Sequence, residues 1–153
     1  MSKLVSCVSV LTAALGAIAI PQPAAARGIA ARGGASAFHS DADCWTPSGA
    51  QMTNSCSTDK YWTVPLVIDG SVLGGLNGTV TVTALGPDMS HNVSCRAQST
   101  DKNNNTVFIT GWTALSQFGA PHDIALTANA PAGGNVIIDC LVSPGATVIT
   151  LNW

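Results

Sequence analysis

The chain has no glutamate, and its charged residues amount to 9% of 153 positions. Charge this sparse and scattered excludes the clustered Lys and Arg that bind nucleic acid or an anionic membrane surface. Aromatic residues are nearly as scarce, at 5%, so each is either a core anchor or a contact. Close cysteine pairs are missing too. Beyond Cys7, no two cysteines lie nearer than twelve positions, whereas zinc sites use C-x₂₋₄-C spacing. There is also no G-x-S-x-G turn of the kind that exposes a hydrolase nucleophile.

One long apolar run is present. Met1-Ser2-Lys3 gives a short positive start, Leu4 to Ile20 is almost wholly apolar, and Pro21-Gln22-Pro23 stops any helix before Ala24-Ala25-Ala26. Small residues at Ala24 and Ala26 fit the signal-peptidase rule, so residues 1–26 are expected to form a signal peptide cleaved before Arg27. The run approaches the ~20 residues of a membrane span, but the proline break and small residues favour cleavage over anchoring, and no second such run follows. Cys7, in Leu4-Val5-Ser6-Cys7, precedes the apolar region and is no lipidation site. The expected location is therefore secreted or periplasmic, without stable membrane insertion.

Residues 27–153 carry five cations against eight aspartates, net −3. Their 127 positions suffice for one domain with a real core. Thr, Val, Ile, Asn and Gly dominate them, the composition of a β protein with turn-rich connections.

Cys44, Cys56, Cys95 and Cys140 remain after cleavage, and four cysteines permit three connectivities. Export makes bridging the expected state. In Val93-Ser94-Cys95-Arg96-Ala97 and Val136-Ile137-Ile138-Asp139-Cys140-Leu141-Val142, alternation puts both cysteines on the apolar side. Cys95 with Cys140 would pin two core strands, leaving Cys44 with Cys56 to close a short loop.

Residues 27–37 are rich in Gly and Ala, lack a period and read as a flexible N-terminal segment. From residue 38 onward, strand signals recur. Trp62, Val64, Leu66 and Ile68 alternate, with Pro65 demoting that stretch towards an edge. Thr79-Val80-Thr81-Val82-Thr83-Ala84 alternates most cleanly. Asp69-Gly70, Gly74-Gly75, Gly86-Pro87-Asp88, Pro131-Ala132-Gly133-Gly134 and Ser143-Pro144-Gly145 mark turns, and Asp101-Lys102-Asn103-Asn104-Asn105 marks a hairpin. Ile124, Leu126 and Ala128 point inward from another strand, and residues 146–153 close the chain. Seven or eight short strands predict one antiparallel β-sandwich over residues 38–153.

Cys95, Trp112 and Cys140 follow the Cys, Trp, Cys order of immunoglobulin domains, where a Trp packs on the bridge. Ile138 replaces the tyrosine expected two residues before the second Cys, so the likeness concerns architecture alone. Cys44, Gly49, Thr63-Val64-Pro65-Leu66, Val93-Ser94-Cys95 and Ile138-Asp139-Cys140 also make the chain resemble a group of small exported bacterial β-sandwich proteins of unassigned function. That group has Cys immediately before the Pro, where this chain has Val64 and carries Cys56 earlier. The resemblance implies an exported β-sandwich and no reaction.

Each candidate for chemistry has a plainer alternative. His39, Asp41 and Asp43 would share one side of an extended segment and suit a divalent cation, but the segment lacks the Gly turn and closing Glu of a calcium loop and reads as a solvated approach to the first strand. No metal or cofactor is expected. His91 and His122 build no triad, because His122 and Asp123 are neighbours that alternation sends to opposite faces. The aspartates show no pairing suited to a glycosidase, and the chain is not expected to be an enzyme. The C-terminal Trp153 invites comparison with membrane barrels and fimbrial subunits. The strands are too short for the first, and residues 28–37 lack the alternating large apolar side chains of a donor strand.

Four aromatics remain. Trp62 belongs to a core-facing set and Trp112 ends a strand, leaving Trp45 and Tyr61 as possible ligand-contact residues. The sequence thus predicts a non-catalytic exported β-sandwich with a structural or recognition role, or a carbohydrate- or surface-binding module using Trp45 and Tyr61, with carbohydrate or protein as partner.

Overall fold

The computed structural model describes residues 27–66 and 76–153. The signal peptide, Ile68 and the turns expected at residues 69–70 and 74–75 lie outside the described residues.

Among the described residues, twelve strands form two six-stranded sheets, with every pairing antiparallel. In chain order they are β1 (Gly28–Ala30), β2 (Ala35–Ser36), β3 (Trp45–Ser48), β4 (Gln51–Asn54), β5 (Lys60–Leu66) and β6 (Leu76–Leu85). Then come β7 (Val93–Thr100), β8 (Thr106–Ile109), β9 (Thr113–Ala114), β10 (His122–Ala130), β11 (Asn135–Val142) and β12 (Thr147–Asn152). The first sheet runs β10-β6-β12-β4-β3, with β1 on the later half of β12. The second runs β2-β5-β11-β7-β8, with β9 also on β7.

Alternation explains the core. Val80, Val82, Ala84, Ile124, Leu126 and Ala128 face inward from the first sheet. Trp62, Val64, Leu66, Val93, Cys95, Ala97, Val136, Ile138, Cys140 and Val142 face them from the second, all buried. Removing such side chains from water is the main driving force for the sandwich. In β12 the phase slips: a register shift between Val148 and Thr150 leaves Val148 and Leu151 both inside although three positions apart. A bulge there restores the inward face.

The N-terminal segment is more ordered than its composition predicts. Gly28, Ile29 and Ala30 pair with Asn152, Leu151 and Thr150, and Arg27 and Trp153 exchange backbone hydrogen bonds at 2.8 Å. Ala35 and Ser36 pair with Thr63 and Trp62. The backbone groups of β12 and β5 supply the order that the side chains lack. Because β2 begins at Ala35, opposite Thr63, it leaves Pro65 without a partner on that side of β5, which reconciles a proline with a strand one place in from the edge.

Among the expected turns, those near residues 101–105 and 143–145 form, with Asn104 donating its backbone N–H to Asp101 and Ala146 to Ser143. Asp101 accepts hydrogen bonds from the backbone N–H of Asn103 and Asn105, while Asn104 takes a φ of 66°, a conformation that asparagine tolerates.

Candidate functional site

The two disulfides are Cys44 to Cys56 and Cys95 to Cys140. Cys95 and Cys140 sit opposite one another on neighbouring strands of one sheet, so this bridge lies within a sheet, unlike the inter-sheet bridge of immunoglobulin domains. Trp112 does not pack on it as that comparison would require. The residue across from Cys140 on its other side is Trp62.

The opposite, outward face of that sheet gathers polar and aromatic side chains. Register places Asp139 of β11 between Thr63 of β5 and Arg96 of β7. Thr63 Oγ1 donates to Asp139 Oδ1 at 3.0 Å, and Arg96 donates from Nε and Nη2 to Oδ2, each at 3.3 Å. The guanidinium carbon of Arg96 also stands 4.6 Å from the centre of the Trp112 ring, within range of cation–π attraction. Tyr61 lies 6.0 Å from Trp112, and Phe38 lies 5.7 Å from Tyr61 in an edge-on contact. One ring thus stands on the ion pair, and two more continue from it in a row.

Trp112 reaches this face through an irregularity in the ladder. Thr110 donates its backbone N–H to Ala97, and Thr113 pairs with Cys95. Gly111 and Trp112 together therefore oppose the single residue Arg96. Such a bulge re-aims a side chain, and it leaves Trp112 42% exposed. Phe38, 53% exposed, precedes a 3₁₀ turn (His39–Cys44).

Of the two aromatics proposed as ligand contacts, Tyr61 belongs to this cluster and Trp45 does not. Trp45 is 8% exposed and packs on Trp62 with ring centres 4.8 Å apart. The strand it opens turns it inward beside the Cys44 bridge, overturning the expectation that it is exposed. Trp112, read as the end of a strand, is the more exposed residue. Alternation does point to Arg96 and Asp139: each lies one position from a core cysteine and must face outward. The bulge that brings Trp112 beside them has one sequence mark, the lone Gly111 within the strand pattern, which does not say where the next side chain points.

The remaining candidates are dispersed. His39, Asp41 and Asp43 lie in the 3₁₀ turn, not in an extended segment, so the two-residue alternation that would have aligned them is lost. Asp41 is instead paired with Lys60 at 2.9 Å. Among the described residues no three His, Cys, Asp or Glu side chains are grouped to hold a metal ion. His91 Nδ1 lies 3.0 Å from the Asp88 carboxylate on an exposed turn. His122 and Asp123 open β10, where Asp123 accepts from Thr83 at 2.7 Å.

No family model matches the chain, and no curated protein does. Among solved structures it is similar to the C-terminal CBM6 of LamC, a marine laminarinase from Zobellia galactanivorans. That match has a TM-score of 0.52 at 12% identity over 83% of this chain and 97% of the other. A second match, to an Arthrobacter globiformis T6 isomalto-dextranase complexed with panose, has a TM-score of 0.39 at 9% identity over 71% of this chain and 17% of the other. At such identities the first likeness establishes a shared β-sandwich fold.

Proposed function

We propose that the protein is an exported, non-catalytic recognition module that binds carbohydrate on the outer face of the β2-β5-β11-β7-β8 sheet. The observation that carries this reading is the row of rings Phe38, Tyr61 and Trp112 that ends on the Arg96–Asp139 pair. A sugar ring offers an apolar face and a rim of hydroxyl groups. Exposed aromatic rings complement the first, while a fixed donor and acceptor complement the second. Arg96 and Asp139 neutralise each other, so the face favours a neutral glycan over a charged one.

Two further points support the reading. The fold is shared with a carbohydrate-binding module, and the two disulfides suit an oxidising compartment outside the cytoplasm. Among the described residues no helix is long and apolar enough to cross a membrane.

The test is affinity electrophoresis through gels containing soluble neutral glucans. Retardation by at least one glucan is expected, and Trp112→Ala should abolish it while Trp45→Phe leaves it intact. Absence of retardation across α- and β-linked glucans, or equal retardation of the wild type and Trp112→Ala, would remove this face as the binding site.

A further inference from the structure

Away from the outer face, Trp45 and Trp62 line a pocket of about 270 Å³ at the edge of the sandwich, together with Arg32, Ser36 and Met52. The side chains of Trp45 and Trp62 are more than nine-tenths buried, and neither indole Nε1 has a hydrogen-bond partner. Proteins rarely leave one buried donor unpaired, and each such case calls for a cause. Here two occur on adjacent rings of one pocket. The nearby cation is also unengaged: the Arg32 side chain is exposed and has no acidic partner among the described residues.

The chemistry of the lining is one-sided. It holds no carboxylate, and the Ser36 hydroxyl already donates to the carbonyl oxygen of Phe38 at 2.8 Å. Asp41, next in sequence to the lining residue Ala42, is held by Lys60. What remains is a guanidinium and the apolar walls of Ala42, Pro47 and Met52, with two unpartnered N–H donors buried on the lining rings of Trp45 and Trp62. Donors without acceptors select a ligand that brings acceptors only, and a guanidinium selects one with negative charge.

We propose that this pocket binds the carboxylate of a small organic acid, with Arg32 pairing one oxygen and the indole N–H groups of Trp45 and Trp62 donating to the acid. The indole nitrogens lie below the surface, so the acid must shift the segment carrying Arg32 and Ser36 as it seats. That segment is joined to β5 through two register pairs, Ala35 with Thr63 and Ser36 with Trp62. The pocket is lined by different side chains from the outer face, where the Arg96–Asp139 pair cancels its own charge; the link between the two is Ser36, whose hydroxyl donates to the Phe38 carbonyl oxygen.

Nuclear magnetic resonance of the ¹⁵N-labelled protein reads both sites in one spectrum, because Trp45, Trp62, Trp112 and Trp153 each give an indole N–H signal, assigned through single Trp→Phe variants. Titration with sodium glucuronate is expected to move the Trp45 and Trp62 signals saturably, with glucose and matched sodium chloride leaving them in place. Arg32→Gln, at an exposed position, should weaken that response at least tenfold. Movement caused equally by glucose or by chloride would overturn the proposal. So would signals of Trp45 and Trp62 that stay fixed with glucuronate. The wild-type titration decides even if Arg32→Gln does not fold. A shift confined to Trp112 would support the outer face and reject this pocket.

Discussion

Cys95 and Cys140 face each other directly across β7 and β11, with Cα atoms 4.1 Å apart. On the opposite face of the same two strands, the next register pair is Arg96 with Asp139. A covalent tie beneath therefore fixes the strand register that the ion pair above requires, since a one-residue slip would send every side chain to the other face.

The first prediction follows from that tie. Replacing Cys95 and Cys140 with alanine removes a constraint between positions separated by 45 residues, worth about 4 kcal/mol in the chain-entropy account. The Cys44–Cys56 bridge spans 12 residues and should contribute about 3 kcal/mol. Chemical denaturation of the two double variants should rank them in that order. A larger loss from the Cys44 and Cys56 change would show that the short loop does more for the core than its length implies.

The second prediction concerns Asn54, which is 0% exposed yet fully engaged. Its Nδ2 donates to the carbonyl oxygens of Thr58 and Val142, at 2.9 and 2.8 Å, and its Oδ1 accepts the backbone N–H of Cys56 at 3.0 Å. Asn54→Ala would strand these three backbone groups, each worth about 1–3 kcal/mol when buried without a partner. Because only one of the three bonds is wholly buried, we expect a loss of about 3 kcal/mol. Urea unfolding checks it, and a loss below about 1 kcal/mol would mean that water replaces the amide.

The third prediction is a pH dependence. Hydrogen bonding from the His91 side chain holds the Asp88 carboxyl below its ordinary value of 3.8, and the Asn105 side chain does the same for Asp101. A lowered folded pKa means that the ionised form is stabilised by folding. The contribution is therefore complete above the unfolded pKa and disappears as pH falls through the lower folded value. Asp101→Ala should lower the melting temperature at pH 6, and the gap should close as both proteins approach pH 2. A gap that persists at that pH would assign the effect to loop geometry and not to charge.

The strand core was legible in the sequence because burial on one face imposes a period of two. Val80, Val82 and Ala84, or Val136, Ile138, Cys140 and Val142, can satisfy that period in one way. The bridges followed from it, as Cys95 and Cys140 fell in phase with their apolar neighbours. Features that depend on backbone irregularity or on long-range pairing left no such trace. The β12 bulge at Ile149, the pairing of Gly28–Ala30 with the end of the chain, and the displaced Trp112 arise from ladders between distant segments. Trp45 misled for a related reason: the Thr46-Pro47-Ser48-Gly49 stretch that follows it shows no apolar alternation and suggests a surface segment, while the Cys44–Cys56 bridge and the Trp62 ring turn it inward.

The final prediction separates binding from stability on the outer face. Asp139 is the hub of the cluster, accepting from Arg96 and Thr63 with its side chain only 16% exposed. Asp139→Ala removes hydrogen bonds to a charged group and leaves Arg96 unpaired, so a loss of about 2 kcal/mol is expected, at the lower end for a pair that water still reaches. Trp112 is different. It contributes a cation–π contact and partial ring contacts, together about 1 kcal/mol or less at an exposed site. If the face binds glucan, Trp112→Ala should therefore remove binding while barely changing the unfolding midpoint, whereas Asp139→Ala should lower the midpoint and weaken binding by releasing Arg96. Measuring both properties for both variants decides the matter: a large stability loss in Trp112→Ala, with glucan retention unchanged, would make the ring a packing element and the outer face a structural surface.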